Sequence, residues 1–186
     1  MRALRPIPVL LAVLLASAAF ADELPVSVQV NLLSKLSTYV SGFAPAGASE
    51  VKILVLHPGK DPSRGAQALS SALTQAGKLG QYTAAPKLVA FVDGKTLEAA
   101  VAAEKPQVIY LAPELDEKAT TEIVSAVGKT TVLTLSGVEA HVKLGVVLGF
   151  SMVEARPRVL INLKQAQKQN IVFLSGLVSH SVVVDR

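Results

Sequence analysis

The sequence predicts an α/β fold: a mainly parallel sheet with helices on both faces, with a C-terminal β-hairpin and terminal helices. Two observations carry this. From Glu50 onward, apolar runs of strand length alternate with amphipathic runs of helix length, and the strands lack a polar face, as strands covered on both sides must. Alanine, valine and leucine supply most of the 51% apolar fraction, and there is no cysteine or tryptophan, so the stabilising material is a packed core rather than a disulfide framework.

The elements follow in order. "PVSVQVNLLSKLSTYVSGF" places Val26, Val30, Leu33, Leu36 and Val40 at helical spacing, which predicts a helix over about 26–40. "VKILVLH", Val51 to His57, reads as a buried strand, and Ser63 to Gly77 as a helix with Ala66, Leu69, Leu73 and Ala76 on one face and Gly77 as its stop. Lys87 to Asp93 reads as a strand and Lys95 to Glu104 as a helix. Pro106 to Pro113 is a third strand, followed by a helix over Leu115 to Gly128 with Asp116 and Glu117 in its first turn. Lys129 to Gly137 is a fourth strand. Val146 to Val153 and Arg158 to Leu163 suit a hairpin joined by a polar link containing Pro157, with helices over Leu163 to Gln169 and Ser175 to Val183. The repeating strand–helix units are Rossmann-like and resemble half of a periplasmic binding protein.

The N-terminus sets the expected address. "MRALRPIPVLLAVLLASAAFA" has two arginines, an apolar run from Val9 to Ala16 and Ala19-Phe20-Ala21 before Asp22, the plan of a secretory signal peptide. The run is shorter than the roughly 20 residues of a permanent span. Cleavage after about Ala21 leaves residues 22–186 as one expected domain with no membrane span. The formal charge of +4 includes Arg2 and Arg5, so the mature chain carries only about +2. With export expected, nucleic acid is a poor candidate partner.

Chemistry in open α/β sheets gathers beyond the C-terminal ends of the strands. The first such loop, "HPGKDPSRG", therefore offers His57, Lys60, Asp61, Ser63 and Arg64 as candidate ligand-binding residues at a helix N-terminus. It matches neither a P-loop nor a dinucleotide loop. Its plainer reading is a helix entry, with Asp61 or Ser63 as N-cap and Pro62 in the first turn. The three histidines, His57, His141 and His180, are far apart in sequence and show no metal-ligand spacing. Ser136-Gly137 follows a strand without the G-x-S-x-G pattern of a hydrolase. Asp116, Glu117 and Glu122 read as dipole and solubility residues. No catalytic constellation and no cofactor motif stand out. Arg156, Arg158, Lys164 and Lys168 give the last third a positive bias, with Lys164 and Lys168 on one helical face; this suits a solvated face, an acidic partner or anionic lipid.

The stretch from Thr131 to Val184 resembles the C-terminal half of the YfiR-like (YfiR/HmsC-like) periplasmic protein family. The matching residues are Thr134, Ser136, Gly145, Phe150, Arg158, Ile161, Asn162, Leu163, Ala166, Ser175 and Leu177, with Ile161-Asn162-Leu163 as the most specific part. The resemblance implies a non-enzymatic periplasmic regulator that binds the extracytoplasmic sensor domain of an inner-membrane protein such as a diguanylate cyclase, lowering cyclic-di-GMP and biofilm formation. It further implies partner contact through the C-terminal region, which points to Phe173, Leu177 and Val178 beside the four basic residues. The namesake relies on disulfides and this chain has no cysteine, so redox control is not expected. The alternative expectation is a periplasmic small-molecule binding module.

Overall fold

A computed structural model describes residues 24–154 and 156–185; the expected export segment, 1–21, lies outside the described residues. The chain begins with helix α1 (Val26–Leu36), which buries Gln29, Val30, Leu33 and Leu36. It ends four residues before the sequence pattern does. The hydroxyls of Ser37 and Thr38 donate back to the carbonyls of Ser34 and Lys35, competing with helix continuation. Val40 then opens strand β1 (Val40–Ser41).

The crossover units come next: β2 (Glu50–Pro58), α2 (Arg64–Ala76), β3 (Lys78–Leu79), β4 (Tyr82–Phe91), α3 (Gly94–Glu104), β5 (Val108–Leu111), α4 (Glu117–Val127), β6 (Leu133–Ser136), α5 (Glu139–Lys143) and β7 (Leu148–Val153). The C-terminal part holds β8 (Arg156–Asn162), α6 (Leu163–Lys168), β9 (Val172–Phe173), α7 (Ser175–Ser179) and β10 (Val182–Asp185). The main sheet has the order β10-β8-β7-β6-β5-β2-β4-β3, and β1 pairs with β9 in a separate two-stranded ribbon.

The strands β4-β2-β5-β6-β7 are parallel to their neighbours, and β8 is antiparallel to β7, closing the predicted hairpin. Alternation divides the core. Val51, Ile53 and Val55 of β2 and Val108 and Tyr110 of β5 pack with α1 and α2, while Leu54, Leu56, Ile109 and Leu111 face α3 and α4. Each such fully buried side chain contributes about 1.5–3 kcal/mol. The sheet therefore needs cover on both faces, as its apolar runs predict.

Three predicted boundaries are corrected. The strand expected at Lys87 starts at Tyr82, so that all of β2 is matched, from Glu50↔Thr83 to Pro58↔Phe91. Pro86 is tolerated there because the N–H of Ala84 points outward, to Gly77 O, and two residues on Pro86 faces the same open edge. In the hairpin, the turn starts at Glu154 (φ 51°), and Pro157 lies inside β8, before the pairing with β10 begins at Leu160. The last predicted helix stops at Ser179, and the β-branched residues after it form β10, parallel to β8.

Asn162 joins three of these elements. Its Oδ1 accepts the N–H of Gln165 (2.9 Å) as the N-cap of α6, and its Nδ2 donates to Val142 O (3.1 Å) at α5. Asn162→Ala removes the cap and one of the two hydrogen bonds on Val142 O, which keeps the N–H of Gly145 (3.1 Å), so it is expected to lower stability by about 1–2 kcal/mol in urea denaturation. Asn162→Asp keeps the cap acceptor but loses the donor, and should recover only part of that loss.

Candidate functional site

Between β2 and β5 the crossovers reverse direction, and in such a sheet a ligand crevice opens at that point beyond the strand ends. Helices α2, α3 and α4 all begin on this side, each with free N–H groups and the positive end of its dipole. Each is met by an oxygen of its own preceding loop. Ser63 Oγ accepts Ala66 N–H (3.3 Å), Asp93 Oδ1 accepts Thr96 N–H (2.7 Å), and Asp116 Oδ1 accepts Ala119 N–H (2.7 Å). Ser63 is thus the cap, and Pro62 precedes the helix.

Two further carboxylates close the same edge. Glu114, from the loop after β5, accepts the N–H of Gly65 at Oε1 and the hydroxyl of Ser63 at Oε2, both at 2.8 Å. It occupies the place at α2 where a bound anion would sit. Gly65 permits this approach, since a Cβ there would lie 2.6 Å from Pro113 Cγ and 2.7 Å from Glu114 Oε1. Glu122, from α4, accepts the N–H of Gly94 (2.8 Å) at the start of α3. What remains is an acidic cleft of about 230 Å³, lined by Pro58, Gly59, Phe91, Glu114, Asp116 and Glu122 among others.

The opposite side of the crevice is filled from α1. The buried Tyr110 hydroxyl donates to Gln29 Oε1, and Gln29 Nε2 donates to Leu24 O (2.6 Å). Burial pushes the Tyr110 phenol up, so it remains a donor. Gly137 leaves room for the carboxamide, because a Cβ there would lie 2.5 Å from Gln29 Oε1. The space left is about 50 Å³, far below the 300–1,000 Å³ typical of small-molecule pockets.

The sequence-predicted ligand residues are not drawn together. His57 is buried with its Nδ1 at 3.3 Å from Pro58 O, whereas Lys60, Asp61 and Arg64 are exposed, and none of them lines the acidic cleft. A pair the sequence did not suggest is Ser136 and His141. Ser136 Oγ lies 2.8 Å from His141 Nδ1, and His141 Nε2 lies 3.0 Å from Leu115 O. A carbonyl only accepts, so this network assigns the proton to Nε2 and makes Nδ1 the acceptor of the serine hydroxyl. Both side chains are buried, and the carbonyl of Leu115 meets the imidazole at Nε2. The pair works as a strut that holds the loop carrying Glu114. Among the described residues no group of three histidine or acidic side chains could hold a metal.

Residues 27–181 match the model of the YfiR/HmsC-like family. The chain belongs to that family. No curated protein matches it in sequence. Among solved structures, this YfiR/HmsC-like chain is similar to an ABC domain in complex with L-Trp from Streptococcus pneumonia (13% identity, TM-score 0.57, covering 86% of this chain and 61% of that one). It is also similar to a conserved domain protein from Vibrio cholerae (14%, 0.53, 86% and 60%). A third is the ligand-free, open form of a substrate-binding protein with adhesive properties from Clostridium difficile (11%, 0.56, 84% and 59%). The fold is that of a periplasmic-binding-protein-like domain, and the chain spans about 60% of the length of these structures. No helix among the described residues is long and apolar enough to cross a membrane.

The basic and apolar partner candidates are scattered. Arg156 and Arg158 are exposed on β8, Lys164 pairs with Asp185 (3.7 Å), and Lys168 is exposed at the end of α6. Leu177 belongs to the core and Phe173 is half-buried against it. The exposed apolar side chains of that region are instead Val172, Leu174 and Tyr39, beside one another through the β1–β9 ribbon and a Leu174 N–H to Tyr39 O bond.

Glu114→Ala should lower stability by about 1 kcal/mol, since its two hydrogen bonds are charge-assisted but exposed; thermal denaturation reads this directly. Hydrogen bonding from Thr96, backbone first, holds the Asp93 carboxyl below its ordinary 3.8. A depressed folded value stabilises the folded state above the unfolded one, so the stability gap between the native protein and Asp93→Ala is full above pH 3.8 and narrows below it. Melting curves over a pH series check the sign.

Proposed function

We propose that this chain is an exported, non-enzymatic regulator. Residues 22–186 form its working domain in the periplasm after removal of 1–21, and it represses an inner-membrane signalling protein, a diguanylate cyclase first among the candidates, by binding its periplasmic part. No cofactor takes part. Family membership supports the regulatory role. The observation that carries it is the closed strand-end crevice. Glu114, Glu122 and Gln29 take the positions at which a small ligand would meet helix N–H groups and the sheet, which leaves the outer surface for recognition.

A second reading, a small-molecule binding module, draws on the likeness to substrate-binding folds and on the remaining acidic cleft. The candidate residues for it remain His57, Lys60, Asp61, Ser63 and Arg64. The same loop offers exposed charges but no cavity that unites them.

Deleting the gene is expected to raise cyclic-di-GMP and biofilm, and affinity purification from intact membranes to bring down a membrane sensor. Unchanged cyclic-di-GMP with no co-purifying sensor would sink the regulator. A thermal-shift screen of amino acids, nucleotides and common metabolites is expected to give no stabilisation; a saturable rise in melting temperature favours the second reading.

A further inference from the structure

Glutamine side chains tie α6 to the carboxyl end of α4 and to the turn that follows it. Gln169, fully buried, donates through Nε2 to Val132 O (2.9 Å) and Val127 O (3.3 Å), and Gln165 reaches Gln169 Oε1 (3.3 Å). Gly145 (φ +113°) lets the loop after α5 run close to α4, since a Cβ there would lie 2.8 Å from Val124 Cγ1.

Above this junction runs an open groove of about 490 Å³, lined by Val124, Ser125, Gly128, Lys129, Gln165 and Lys168. Its floor is a half-buried valine, a glycine and a carboxamide. Its charged residues are two exposed lysines, and no carboxylate lines it. Lys129 and Lys168 form no ion pair among the described residues, unlike Lys164, which meets Asp185. The cleft at the strand ends is net acidic, with Glu114, Asp116 and Glu122 beside one cation, Lys118, on its walls.

We propose that the α4–α6 groove is the docking surface for an acidic, amphipathic segment of a partner protein. Apolar side chains of that segment lie on Val124 and Gly128, and its carboxylates meet Lys129 and Lys168. The proposal rests on the regulatory reading, in which the chain acts by protein contact. Concavity and charge number select a protein segment over a membrane. A bilayer cannot enter a groove, and two lysines give only about 2 kcal/mol at an anionic surface even when both reach it. Unpaired lysines on flexible stems around an apolar floor steer an acidic segment and then hold it while the floor is covered.

The test uses a fluorescent synthetic peptide of alternating glutamate and leucine faces, titrated into the purified domain by anisotropy. A lysine–leucine peptide of the same pattern and phosphatidylglycerol-containing vesicles serve as alternatives. Saturable binding of the acidic peptide is expected, about tenfold weaker in K129E/K168E and weaker again at high salt. The variant S125W, which fills the groove from an exposed helix position without altering charge, should weaken it as well. Unchanged melting temperatures show that both variants fold. Equal binding to the native protein and K129E/K168E, or preference for the basic peptide or the vesicles, overturns the proposal. Loss of the groove in this assay while gene deletion still raises cyclic-di-GMP removes the docking surface and leaves the regulator; a deletion without effect removes the regulator whatever the peptide does.

Discussion

A parallel sheet buried on both faces gathers the amino-terminal ends of its crossover helices along one edge, and their first N–H groups must be met there by oxygens. In binding proteins of this architecture that requirement is an opportunity, since a ligand's anionic group can supply the oxygens. Here the chain supplies them itself. Ser63, Asp93 and Asp116 cap their own helices, and Glu114 and Glu122 reach across from the next crossover. The same five residues that complete the fold therefore take up the helix N–H groups at its customary site.

The closure is cooperative because the loop that carries Glu114 is held at several points. Its carboxylate meets α2, the following carbonyl of Leu115 faces His141, and Asp116 starts α4. Ser136 sets the imidazole, so β6 and α5 reach the same loop. Ser136 and His141 are both buried, and through them β6 and α5 hold the carbonyl of Leu115.

The sheet core was legible because its strands are short, apolar and bounded, and period alone distinguishes them from the helices between. Ser63 and Asn162 were legible as caps because capping is local. Elements without a local signature were not. Tyr82 to Pro86 mixes small and polar residues with a proline and becomes strand only because β2 offers a full-length partner. The valines of β10 sit at positions compatible with either period, and pairing with β8 decides the matter. The partners of Glu114 carry no local signal, because its hydrogen bonds reach 49 and 51 residues back along the chain. Nothing local marks Gln165 and Gln169 as buried, yet both are, and Gln169 reaches Val127 O at the end of α4.

Those two glutamines explain why the basic stretch around Asn162 resists a single description. The inward face here is polar: Gln169 donates to Val132 O just before β6 and to Val127 O at the end of α4, and Gln165 donates to Gln169. Lys164 and Lys168 stand four apart in sequence but serve different neighbours, the first Asp185 of β10 and the second the groove beside α4. Buried glutamines and exposed lysines thus share six residues, separated by helix face rather than by segment. Substituting an inward glutamine perturbs the fold and the groove together, whereas substituting Lys168, exposed and in no ion pair among the described residues, leaves the buried contacts in place. Charge on the outer face is therefore the variable that can distinguish recognition from stability in this region.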